Sequence, residues 1–239
     1  MDYSLSFPVD SFSCAEALEF IGSFAGMPLY ESASGEYSFT LVSDTYDPLD
    51  ARNSIRFFKN TVKKIDYFVM SLDDEQYMRL DELMASAGDH GMTFAYKADP
   101  IKAIWQSQET VNAYEAGKRP HAHLKKIDDP NGPSFLGPKI DISENPGHQR
   151  ITYAMRLMAA PEMWFGPGGW AYFDKTRVSS FADAEEARWL GPDLLYVKLF
   201  DWTVPDYEAG HILRLQERFR QWSGMDEVEA QLESMVKKG

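Results

Sequence analysis

Apolar and polar residues alternate through Tyr3-Ser4-Leu5-Ser6-Phe7, a period of two that predicts a half-buried strand. Pro8 lacks an N–H and so places this strand at a sheet edge or at a bulge. The period then changes. Ser11 or Ser13 supplies an N-cap, and Ala15, Leu18, Ile21 and Phe24 or Ala25 recur at helical spacing before Gly26 stops the run. Short strands are predicted around 29–32 and 37–42, with Ser34-Gly35 as the turn between them. Asp47-Pro48-Leu49-Asp50 opens a second helix whose buried face is Ile55, Phe58 and Val62, and 67–72 reads as a strand. Strand, helix, strand, strand, helix, strand is the order of a ferredoxin-like unit.

Further along, Asp73, Asp74 and Glu75 suit the first turn of a helix reaching about Ala87, with Tyr77, Leu80, Leu83 and Met84 on its apolar face. A strand at 92–96 and a helix at 101–116 follow, the helix stopped by Gly117. From 118 to 149 periodicity vanishes among prolines and glycines, the mark of a functional loop or a linker. Ile151, Tyr153, Met155 and Leu157 alternate as a strand, and 163–173 reads as strand, tight Gly/Pro turn, strand. A short helix at 181–190, a strand at 193–200 and helices at 207–222 and 226–236 complete the pattern. The predicted fold class is α+β, with a mainly antiparallel sheet flanked by helices. The expected organisation is a 1–117 subdomain, a 118–149 loop and a 150–239 subdomain, with one continuous domain as the alternative.

Composition narrows the class. The chain has 239 residues, 44% hydrophobic and 26% charged, values that exclude disorder and fibrous repeats. A single cysteine, Cys14, excludes an intrachain disulfide and a cysteine-based zinc site. Its setting among Phe12, Ala15 and Leu18 favours a packing role over a reactive thiol. No apolar run approaches the roughly 20 residues of a membrane span. The acidic start lacks the basic n-region of a secretory signal, so a cytoplasmic location is expected.

The net charge of −13 is unevenly spread. Residues 1–51 hold nine acids and no lysine or arginine, so most of the excess lies in the first fifth of the chain. Such a segment repels nucleic acid and anionic lipid and attracts a basic protein partner. Glu31, Glu36, Asp44, Asp47 and Asp50 are the expected acidic docking edge. The three-residue spacing of Asp44, Asp47 and Asp50 is too sparse for a calcium loop and suits a helix-capping turn. Local basic clusters in 52–64 and 118–126 keep a nucleic-acid binder as a third reading.

Catalytic motifs are few. His121 and His123, two residues apart, project to one side of an extended segment and could ligate a metal, with Asp128, Asp129 or His148 as further ligands. That is the alternative reading, a metal-dependent hydrolase. Four cations in the surrounding KRPHAHLKK oppose it, since they disfavour a divalent ion. GxSxG, Walker and HExxH patterns are absent, and no cofactor is expected. Trp164 and Trp170, flanking FGPGG at a hairpin tip, are the expected interface anchors. Arg214, Glu217 and Arg220 predict an ion-paired helix face.

The segments PEMWFGPGGWAYF, RVSSFADAEEARWL and DLLYVKLFDW, within 161–202, resemble the small cytosolic immunity proteins of bacterial polymorphic-toxin and type VI secretion systems. An aromatic hairpin, a helix after Ser-Phe and an apolar strand ending in aromatics carry the resemblance, which matches no single family. It implies an inhibitor that docks on a secreted toxin, such as a basic nuclease, and blocks its active site without catalysis of its own.

Overall fold

In the computed structural model, residues 1–47, 52–73, 78–119, 121–122, 124–128, 138–201 and 210–236 are described. The opening alternation forms β1 (Asp2–Pro8), which sends Tyr3, Leu5 and Phe7 into one core and Ser4 and Ser6 to the opposite face. The strand is not at an edge. It pairs antiparallel with β5 (Ile65–Ser71) on one side and β6 (Phe94–Ala98) on the other. Pro8 is tolerated because the β6 ladder ends at Ser6, two residues before a donor would be missed.

Ser13 starts α1 (Cys14–Gly22) with a capping box. Its hydroxyl accepts from the Glu16 N–H at 3.2 Å while the Glu16 carboxylate accepts from the Ser13 N–H at 2.8 Å. The buried face is Ala17, Phe20 and Ile21, rotated from the predicted one, and Leu18 is exposed. Phe20 joins Phe7, Phe12 and Phe68 in an aromatic cluster with ring centroids 5.0–6.2 Å apart. Ser13→Ala removes one half of the box and is expected to cost about 1 kcal/mol in urea unfolding.

β2 (Tyr30–Gly35) and β3 (Ser38–Asp47) form the predicted hairpin, but Gly35 pairs with Ser38, so the turn is Glu36-Tyr37. The helix predicted to open at Asp47 is instead β4 (Arg52–Asn60), and the ferredoxin-like order is lost. Ile55 sits between Leu41 and Met70, and Phe57 between Phe39 and Phe68. These two positions, spaced by two, are fully buried, whereas Val62 of the predicted helical face is exposed. Asp50 lies outside the described residues.

The next helix, α2 (Leu80–Asp89), buries Leu83, Met84 and Ala87; the acids at 74 and 75 fall outside the described residues. The predicted 101–116 helix is two, α3 (Pro100–Gln106) capped by Asp99 and α4 (Val111–Ala116). Within 118–149, β7 (Lys126–Ile127) pairs with β8 (Lys139–Ile140) and a 3₁₀ turn spans Ile142–Glu144.

Three expectations fail in the next segment. The strand predicted at 151–157 is broken into β9 (Arg150–Ile151) and β10 (Arg156–Leu157), folded back across Ala154 at φ 68°. After β11 (Glu162–Phe165), Pro167–Ala171 forms a 3₁₀ helix rather than a hairpin. The predicted 181–190 helix is displaced to α5 (Lys175–Ser179), and β12 (Glu186–Trp189) takes its second half. β13 (Leu195–Lys198) lies within the predicted strand, and α6 (Gly210–Ser223) and α7 (Met225–Val236) match the predicted helix pair, joined at Gly224 with φ 76°.

One sheet of nine strands, in the order β12-β13-β11-β6-β1-β5-β4-β3-β2, organises the described residues, and every pairing in it is antiparallel. The fold is therefore α+β with a large antiparallel sheet. Leu5, Phe57, Phe68 and Met70 face α1 and α2 on one side. On the other side, Phe94, Phe165, Leu195 and Val197 pack with Phe219 of α6 and Val228 and Leu232 of α7. Among the described residues, no helix is long and apolar enough to cross a membrane.

Candidate functional site

Of the acidic residues predicted from charge, Glu31 lies on the outermost strand, β2. All six residues of β2 are exposed, including Glu31, and Glu36 and Asp44 are exposed on the turn and on β3. Tyr30 and Tyr37 are 58% and 49% exposed on the same hairpin. Neither Glu31 nor Asp44 has a cation within ion-pair distance among the described residues. Other acids of the segment are committed elsewhere: Asp2 is half-buried, Asp10 pairs with Lys59 at 2.7 Å and Glu16 completes the cap. Asp47 ends β3. The Cys14 thiol points at the Gly35 and Glu36 carbonyls, 3.8 and 3.4 Å away, so the cysteine ties the hairpin to α1.

Trp164 and Trp170 are not hairpin-tip anchors, because that hairpin does not form. Trp164 is 8% exposed. Trp170 is half-buried, stacks on Phe165 and donates its indole N–H to the Asp193 carbonyl at 2.7 Å. What Trp164 does contribute to is a cavity of about 320 Å³, which the sheet register assembles. Leu5, Ala95, Trp164, Tyr196 and Arg188 lie side by side in one row across five strands, and Tyr3, Lys97, Glu162, Lys198 and Glu186 in the adjacent row. Both rows are on one face, since each strand contributes residues two apart.

Charge is concentrated there. Lys97, buried within the apolar stretch of β6, donates to Glu162 Oε1 at 2.9 Å, and the Tyr196 hydroxyl donates to Oε2 at 3.0 Å. Burial and the Glu162 charge push the Tyr196 phenol far above its ordinary value, which fixes it as a donor. Arg188 lies 5.1 Å over the Tyr196 ring and Trp164 packs 5.2 Å from it. Both carboxylate oxygens of Glu162 are thus occupied, by Lys97 and by the Tyr196 hydroxyl, so the three side chains satisfy one another across the sheet. Sequence reasoning missed Lys97, Glu162, Tyr196 and Arg188, although a lysine inside a strand of buried residues was a visible signal.

The histidines are not gathered. His121 lies 3.8 Å from Glu115, whereas His123 and Asp129 fall outside the described residues and Asp128 is exposed. His148, read as a further metal ligand, is fully engaged, with Nδ1 on the Asn145 carbonyl and Nε2 3.1 Å from the Glu229 carboxylate. Among the described residues no group of three or more His, Cys, Asp or Glu could hold a metal ion. No known protein family, curated protein or solved structure matches the chain.

Proposed function

We propose that the chain is a non-catalytic binding protein that docks a basic protein on its acidic β2–β3 edge, the role a toxin inhibitor of the immunity class would fill. The observation that carries this reading is β2 itself: an outermost strand with every residue exposed, in a segment of nine acids and no bases. An edge strand offers unpaired backbone N–H and C=O groups to an incoming strand. Negative charge around it steers a cationic surface toward that edge, and Tyr30 and Tyr37 supply rigid contact area. The register shift between Glu31 and Ala33 and the charges themselves protect the free edge from self-association.

The experiment is an association-rate measurement against a panel of basic nuclease toxin domains over a salt series. With Glu31→Lys, Glu36→Lys and Asp44→Lys combined, the association rate is expected to fall at least about tenfold at low salt and to lose most of its salt dependence. An unchanged rate for a bound domain would overturn acidic docking, and so would the absence of any binder in the panel.

A further inference from the structure

The face of the sheet opposite Trp164 holds a smaller and more enclosed cavity, of about 90 Å³, under α3. Ser4 forms its floor, flanked in register by Val69 of β5 and Tyr96 of β6. Asp2 lies beside Ser4 on the same face, Pro100, Ala103 and Ile104 come from α3, and Gln149 and Arg156 close the side. Arg156 is held from two directions. Its guanidinium lies 5.0 Å over the Tyr67 ring, and its backbone N–H donates to the Ser6 hydroxyl at 3.0 Å.

The polar groups facing this space are under-satisfied. Among the described residues, Arg156 Nε and Nη1 are buried with no hydrogen-bond partner, and so is the hydroxyl of Ser4, a residue only 2% exposed. The Tyr96 hydroxyl is near enough to influence Ser4, but it accepts from the Gln149 amide and makes no hydrogen bond of good geometry with Ser4. Arg56, in the same lateral row beyond Val69, also has a buried Nε without a partner among the described residues. Buried donors without partners are rare in folded proteins and each costs about 1–3 kcal/mol. Ser4 and Arg156 line one cavity, where the Asp2 carboxylate already faces both arginines, and their free donors call for a further acceptor.

Size and lining restrict what that acceptor is. The space is large enough for a few waters or one carboxylate head. Val69, Ala98, Ala103 and Ile104 make the remaining wall apolar. Ile104 is 59% exposed, and Ile101 one turn earlier is 57% exposed, an apolar lip left open to solvent. Burial raises the Asp2 carboxyl above its ordinary value, against the pull of Ser71, the chain N-terminus and the two arginines.

The geometry points to a binding site for a small monocarboxylate with an apolar tail, its head on Ser4 and Arg156 and its tail along Val69, Ala103 and Ile104. This site lies on the opposite face from the Lys97–Glu162 cavity and does not depend on the acidic-edge reading.

The test is calorimetric titration of the full chain with hexanoate, using hexylamine, hexanol and inorganic phosphate as comparison probes. Hexanoate is expected to bind with one-to-one stoichiometry, with the other three at least about tenfold weaker. Ser4→Ala, which keeps the strand, is expected to weaken hexanoate by about three- to tenfold. Ile104→Glu, which changes only the exposed lip, should abolish the preference for hexanoate over acetate. Hexylamine or phosphate binding as tightly as hexanoate, no hexanoate binding by the unmodified chain, or no effect of Ser4→Ala would each overturn the proposal.

Discussion

Glu229→Gln is expected to lower the unfolding free energy at neutral pH by about 3–5 kcal/mol, the cost of stripping one partner from a buried ion pair. The Arg220 side chain is nearly inaccessible and is held between Asp226 Oδ1 at 2.6 Å and Glu229 Oε2 at 2.5 Å. Glu229 also receives His148 at 3.1 Å and lies 3.6 Å from Arg150 Nε. One carboxylate thus joins α6, α7 and the 148–150 segment. Burial alone would raise its pKa, but His148 and Arg220 outweigh that and bring it down to about 2.

The pH dependence follows from that direction. A carboxylate whose folded-state pKa lies below its ordinary 4.5 contributes stability that is fully present above about pH 4.5 and is lost as pH falls toward 2. Urea unfolding at neutral pH and near pH 2 should therefore show a wide gap between native chain and variant at the first and a narrow one at the second. A neutral-pH gap below about 1 kcal/mol, within the range of ordinary surface substitutions and weak pairs, would show that the network contributes little.

A second large effect is expected at Gly169→Ala. A Cβ there would lie 2.2 Å from the Thr93 carbonyl oxygen, and one at Gly166 would lie 2.2 Å from that of Met92. Backbone cannot yield as a flexible side chain would. The same carbonyls already accept hydrogen bonds, from the Gly166 N–H at 3.2 Å and the Gly168 N–H at 3.1 Å. The glycines of 166–169 thus exist for close approach to the start of β6 rather than for a hairpin turn. Overpacking plus a displaced hydrogen bond is expected to cost about 3 kcal/mol or more. Gly191→Ala, where a Cβ meets nothing within 4 Å, is the control and should stay within about 0.5 kcal/mol of the native chain. Thermal and urea unfolding measure both, and similar values for the two variants would refute the close-approach account.

The acidic edge is partly legible in the order of residues alone. Segregation of charge is a property of the chain, and Glu31, Glu36 and Asp44 are exposed on one hairpin. The Lys97–Glu162–Tyr196 cavity is not legible in that way, because its residues come from separate strands and share no spacing. Only strand register places Tyr3 beside Lys97 and Lys97 beside Glu162. The same holds for Arg220. Sequence spacing assigns it to Glu217, three residues away, but it turns to Asp226 and Glu229 of the following helix.

What the sequence by itself determined is local: the α+β class, the alternation that makes β1, the Ser13 cap of α1, the apolar run of β13 and the terminal helix pair. Each rests on interactions within a few residues, which propensity and capping describe. The tertiary structure decided the rest. Residues 52–60 became β4 because β3 and β5 offered open ladders and matching apolar faces on both sides, outweighing an ambiguous local period. The 166–169 glycines became a seat against β6 because a backbone far away in sequence required the space. Cavities and buried networks depend on such long-range pairings, and no local pattern along the chain encodes them.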